Sequence, residues 1–107
     1  MTSAAVNDPV VREFAASVRA KIGPCIQRII LFGSRARGTA WEGSDYDLAL
    51  MVTHRDRDIE ERVLDAVVEV LDRYDALVCA HIFTPEEWKL ERLCPLGLNI
   101  GNEGVTV

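Results

Sequence analysis

Hydrophobic positions along the chain change period several times, and each change predicts an element. Val10, Phe14 and Val18 recur at helical spacing. Asp8 stands ready as N-cap, Pro9 suits the first helical position, and Gly23-Pro24 ends the run. Ile26 to Phe32 is short and rich in Ile and Leu, which predicts a buried strand. Gly33-Ser34 ends it, and Ser34-Arg-Ala-Arg37 predicts a short helix closed by Gly38. Thr39 to Ser44 is polar and turn-like, and Tyr46 to Val52 is a second strand with Asp47 inside its start. Asp56 to Arg73 predicts a long helix, its apolar stripe on Ile59, Val63, Ala66 or Val67, and Val70. Ala76 to Phe83 predicts a third strand. Thr84-Pro85-Glu86-Glu87 is a capping box that opens a helix through Trp88 to about Leu93, with Trp88 on its core side. Leu96 to Val107 is expected to be an irregular tail ending in a short edge strand at Val105 to Val107. The expected fold class is α/β: one small sheet with helices packed mainly on one face.

Composition narrows the function classes. The 107 residues predict a single domain spanning 1–107, with one modest core and no second catalytic or substrate domain. Twelve basic against 17 acidic residues give a net charge of −5. That balance is a poor electrostatic match for long nucleic acid, whose affinity is dominated by phosphate contacts, but it permits a single nucleotide. No apolar run reaches the roughly 18 residues of a membrane span. The opening MTSAAVNDPVVREF lacks the basic-then-apolar order of a signal peptide, so a cytoplasmic location is expected. Cys25, Cys79 and Cys94 are odd in number and widely spaced, with no Cys-x-x-Cys pair, and are expected to be reduced and mostly buried.

The candidate chemistry lies between Leu31 and Leu48. Gly33 and Ser34 sit at a strand-to-helix junction, where a glycine permits close approach of a ligand and a helix start offers N–H donors to phosphate. Asp45 and Asp47 are two residues apart at the start of a strand, so the period of two puts both carboxylates on one face. Paired carboxylates repel unless a cation lies between them, and magnesium is the hard, oxygen-liking cation shared between carboxylates and phosphates. A phosphate cradle beside such a pair is the apparatus of metal-assisted phosphoryl or nucleotidyl transfer. Each part alone is common; their joint arrangement on two apolar strands is specific.

This pattern, Gly-Ser-x10-Asp-x-Asp with Arg-x-Arg-Gly after the serine and Ser-Asp-x-Asp-Leu at its end, resembles the polymerase-beta-like nucleotidyltransferases, and more narrowly the minimal nucleotidyltransferases (MNT). The resemblance extends to Thr-Pro-Glu-Glu-Trp and to the closing Pro-Leu-x-x-Asn-Ile-x-x-Glu-Gly-Val. It implies the small mixed sheet of that fold. It implies that Gly33 and Ser34 hold the terminal phosphates of ATP, that Asp45 and Asp47 bind two Mg2+ ions, and that Arg35 and Arg37 neutralise phosphate charge. Ser44 would orient Asp45 or touch a phosphate, or else make a local turn hydrogen bond. An acceptor hydroxyl would attack the α-phosphate and pyrophosphate would leave. MNT proteins pair with small helical HEPN proteins as antitoxin and toxin, which implies AMP transfer to a tyrosine of a HEPN-type partner. Assembly into homo- or hetero-oligomers is expected.

The sequence departs from the family at one place. Active members carry a third carboxylate on the next core strand, and Ala76 to Phe83 holds none. The expected position falls near Cys79. His81 shares its face and is a candidate base or ligand, and Asp75 lies just before the strand. Two readings follow: a working nucleotidyltransferase, or a nucleotide- and partner-binding module that neutralises its partner by contact. Trp41, in the loop before Asp45, is a candidate to stack on a base or a partner surface, or to act as a lid on the core.

Overall fold

Asp8 opens the first helix as its side chain accepts the Val10 N–H at 2.9 Å, and α1 runs Pro9–Ile22. The computed structural model describes residues 7–41 and 43–107. A 3-10 turn at Gly23–Cys25 leads into β1, Ile26–Phe32. Next come the one-turn helix α2, Ser34–Arg37, and β2, Tyr46–Val52. Asp56 accepts the Ile59 N–H at 2.9 Å and starts α3, Arg57–Tyr74. β3 is Val78–Phe83, and α4 is Pro85–Glu91 with both halves of its capping box formed by Thr84 and Glu87. Helix α5 spans Pro95–Glu103, and β4 is Val105–Thr106.

The sheet order is β3-β2-β1-β4. β2 is antiparallel to β1 and parallel to β3, and β4 is antiparallel to β1, so the sheet is mixed. Strand alternation splits the apolar side chains between two faces. Ile29, Leu31, Tyr46, Leu48, Leu50 and Val52 pack with Phe14 and Val18 of α1 and with Ile59, Val63, Ala66 and Val70 of α3. Ile30, Phe32, Ala49, Met51 and Phe83 pack with Ile100 of α5, and Trp88 and Leu96 lie half-buried against them. Fully burying one such aliphatic or aromatic side chain contributes about 1.5–3 kcal/mol. The two long helices thus cover one face, and two short ones cover part of the other.

Four expectations are corrected. The tail is not irregular: Pro95 at the first helical position and the pair Leu96 and Ile100, four apart on the second core, make it helix α5 up to Glu103. The backbones of α4 and α5 cross so closely at Gly97 that a Cβ there would collide with the Glu91 carbonyl, and this packing holds α5 in place. β3 begins at Val78 rather than Ala76, because Asp75 takes a left-handed φ of 52° to cap α3 and directs the chain into a loop first. The cysteines are not mostly buried: Cys25 and Cys79 are half-buried and Cys94 is exposed. Trp41 is no lid on the core, being 73% exposed.

Candidate active site

The carboxylates are placed by the sheet. Asp47 sits in β2 between Phe32 of β1 and Cys79 of β3, and it alternates with Leu48 so as to share the face of Ala49 and Met51. Asp45 lies two residues earlier, exposed at the strand mouth, and the period of two carries it to the same side. Partial burial pushes the Asp47 carboxyl above the ordinary carboxylate range. His81 opposes that shift, its Nε2 lying 3.9 Å from Asp47 Oδ1, while the charges of Asp45 and Glu103 add to it.

The phosphate-loop candidate lies directly against this pair. Gly33 adopts φ 78° and ψ −160°, a conformation that favours glycine. A Cβ at Gly33 would stand 2.5 Å from Asp47 Oδ2 and must displace it. The glycine therefore serves both the turn and the approach to the carboxylate. The Gly33 carbonyl accepts the N–H groups of Ala36 and Arg37, each at 3.1 Å, and Gly38 closes the turn with φ 78°. A helix of one turn has little dipole, so the anion-attracting helix start read from the sequence reduces here to the Ser34 hydroxyl and the local N–H groups.

The other predicted residues divide. Arg37 Nη1 lies 2.7 Å from Glu103 Oε2 at the mouth of the loop. Arg35 turns the other way: it donates to the Ser44 carbonyl at 2.8 Å and its guanidinium lies 4.1 Å from the centroid of the Tyr46 ring. The Ser44 hydroxyl accepts the Trp41 N–H at 3.1 Å. Arg35 and Ser44 thus brace the loop that delivers Asp45. Cys79 is the direct neighbour of Asp47 in the β2–β3 register. Burial first, then Asp47 and Asp45, push its thiol pKa up, which disfavours the thiolate. His81 stacks on Phe32 at 5.4 Å between ring centroids and faces Asp47. Asp75 is not brought to Asp47. It lies with Asp45, Tyr46, Leu71, Tyr74 and Leu77 around a cleft of about 610 Å3 on the other side of the strand mouth.

The donor set fits magnesium. Two carboxylates face one side, and burial of Asp47, with a smaller addition from the Asp45 charge, raises its pKa. The described residues hold no cluster of three or more Asp, Glu, His or Cys. Magnesium is held in the same way elsewhere, by one or two carboxylates with the remaining positions left to water and substrate phosphate.

One site residue escaped the sequence reading. Glu103, at the end of α5, accepts the Gly33 N–H at 2.8 Å and pairs with Arg37 through the same oxygen. It ties the phosphate loop to a helix 70 residues away. Its only sequence signal was a place in the closing Glu-Gly-Val. Tyr46 was also read only as a strand residue. Its hydroxyl donates to Asp8 at 2.9 Å, and burial followed by that bond pushes its pKa up to about 12.

Comparison with known proteins shows the family and the fold. Residues 20–84 match the family described as polymerase beta, nucleotidyltransferase. The chain is 34% identical over 90 residues to the candidate protein adenylyltransferase MJ1305 of Methanocaldococcus jannaschii, across 81% of this chain and 61% of that protein. It is 34% identical over 80 residues to a second candidate protein adenylyltransferase of that organism, MJ0604, across 75% and 76%. The chain thus spans less than two thirds of the first relative. Among solved structures, a toxin–antitoxin with AMP-PNP superposes with a TM-score of 0.63 at 21% identity, over 89% of this chain and 69% of that one. With its glycine against its carboxylates, its mixed sheet and the matched residues 20–84, the chain belongs to the polymerase beta nucleotidyltransferase family.

Proposed function

We propose that this protein transfers AMP from ATP to a protein hydroxyl, the acceptor being a HEPN-type toxin that it holds in check as antitoxin. The observation that carries the reading is the contact of Gly33 with Asp47, which joins a phosphate loop to a carboxylate pair at one point of the sheet. The names of the relatives support the acceptor class: two are candidate protein adenylyltransferases, and one solved neighbour is a toxin–antitoxin with AMP-PNP.

In this reading the Ser34 hydroxyl and the N–H groups of Ser34 and Arg35, at the start of the α2 turn, bind the β- and γ-phosphates. Arg37 offers its guanidinium to the same anion from the rim. Asp45 and Asp47 would hold two Mg2+ ions, which would supply neutralisation of the phosphate charge. The acceptor oxygen forms its bond to the α-phosphorus as the bond to pyrophosphate breaks. The half-exposed His81, beside Asp47, is the group positioned to take the acceptor's proton. Asp47 must be ionised to hold a cation, so metal-dependent ATP binding should weaken as pH falls through its raised pKa.

Cys79, standing in the third-carboxylate place with a disfavoured thiolate, supports a second reading: a module that neutralises its partner by contact. One experiment separates the two. The purified chain is mixed with its partner, Mg2+ and ATP labelled at the α-phosphate. The expected result is label on the partner, reduced by about 100-fold or more in Asp45→Ala and Asp47→Ala, the scale of losing one electrostatic stabiliser. No label from the unmodified chain, with neutralisation intact, would establish the contact reading instead.

A further inference from the structure

The apolar residues left outside both cores are not scattered. Leu64, Val68 and Leu71 are 59%, 53% and 42% exposed. Their spacing of i, i+4, i+7 draws one line along the outward side of α3, away from its buried line of Ile59, Val63, Ala66 and Val70. A single exposed leucine needs no explanation, but an aligned series does. The line does not stop with the helix. Tyr74 and Leu77 continue it at 38% and 44% exposure, and with Leu71 they wall the cleft that reaches Asp45.

The margins of this line are mainly acidic, with Arg57 near its start. At 100° per residue, Glu61, Asp65 and Asp72 flank it on one side, Glu60 lies on the other, and Asp75 stands at its end. Glu61 pairs with Arg57 at 3.5 Å and Glu60 with Arg55 at 3.3 Å, whereas Asp65, Asp72 and Asp75 have no ion pair among the described residues and set the acidic sign of the border. The result is an apolar strip with acidic borders that ends at a candidate metal-binding carboxylate.

We propose that this face of α3 and its cleft are the docking surface for the acceptor protein, and that they take an amphipathic helix whose apolar line is bordered by Lys and Arg. The inference rests on the AMP-transfer reading and adds to it the chemistry and position of the partner. A partner seated here meets the site from the side of the cleft that Asp45 lines, across the strand mouth from Asp47. A second copy of this chain is disfavoured, because its own acidic borders would meet these. A nucleotide is disfavoured along the strip for the same reason.

The test uses the full chain and two synthetic helical peptides of about 18 residues, long enough to form several turns. Both carry Leu at i, i+4, i+7; one is bordered by Lys and Arg, its twin by Glu. Fluorescence anisotropy should show the basic peptide binding at least tenfold tighter, with affinity falling as salt rises. Leu64→Glu with Val68→Glu should abolish that binding and leave Mg2+-dependent ATP binding, read by calorimetry, unchanged. Glu61→Lys with Asp65→Lys should reverse the preference between the peptides, which keeps the test sound if the first pair does not fold. Equal binding of the two peptides overturns the proposal. So does displacement of the basic peptide by Mg-ATP, or a dimer of the unmodified chain in sedimentation that Leu64→Glu with Val68→Glu makes monomeric. Peptide binding in a chain that binds no ATP would instead count against the AMP-transfer reading.

Discussion

Gly33 and Asp47 must be considered together, because each sets a condition on the other. Gly33→Ala places a methyl 2.5 Å from Asp47 Oδ2 and holds an L-residue at φ 78°. A non-glycine residue in such a conformation costs on the order of 1–3 kcal/mol. Denaturant unfolding of Gly33→Ala should show a loss of that size, and calorimetry should show ATP binding lost with it. Asp47 gives the opposite effect on stability. Its folded pKa is raised above the ordinary 3.8, so the folded state binds the proton more tightly than the unfolded chain does. Its ionised form therefore costs stability above the raised pKa, and the cost vanishes as pH falls below 3.8. Asp47→Asn should raise the denaturation midpoint at neutral pH, with a gain that shrinks to nothing in acid, while ATP-dependent activity is lost. A midpoint gain independent of pH would contradict this. The spacing of Asp45 and Asp47 was legible from the period of a strand. The neighbours of Asp47 were not, since Cys79, His81 and Glu103 reach it only through strand register and helix packing.

Among the elements, those with local signals were read correctly. Asp8 and Thr84 cap the helices that follow, as their residue types suggest, and Asp56, expected as the first residue of its helix, is that helix's N-cap. Helix α5 was missed because Gly97 and Gly101 are weak helix formers and its stripe consists only of Leu96 and Ile100. What makes it helical is the second core, whose sheet residues lie far away in the chain, together with the close backbone approach of Gly97 to Glu91. Its consequence is Glu103, which joins this helix to the phosphate loop. Glu103→Ala should raise the KM for ATP about tenfold, the loss of one charged hydrogen bond partly screened by solvent. Glu103→Gln, which keeps an acceptor for the Gly33 N–H, should recover part of it. Hydrogen exchange at the Gly33 amide should quicken in the alanine variant and separate a loosened loop from a merely weakened phosphate contact.

At the scale of the whole molecule, the sheet order β3-β2-β1-β4 sets the two central strands, β1 and β2, at the site. The loop after β1 and the start of β2 meet because these strands are antiparallel, with Phe32 opposite Asp47. The long helices lie on the face away from Asp47, which leaves the carboxylate face to α4 and α5. No helix among the described residues is long and apolar enough to cross a membrane. By itself the sequence determined the elements up to α4, the α/β class, the caps and the Gly-Ser and Asp-x-Asp candidates. These follow from periodicity, capping chemistry and spacing, which act over a few residues. Only the tertiary structure decided that α5 is a helix, that Glu103 holds the phosphate loop, that Arg35 braces the Asp45 loop, and that α3 keeps an apolar line outside. Those outcomes depend on contacts between residues far apart in the chain, where packing and register outweigh local preference.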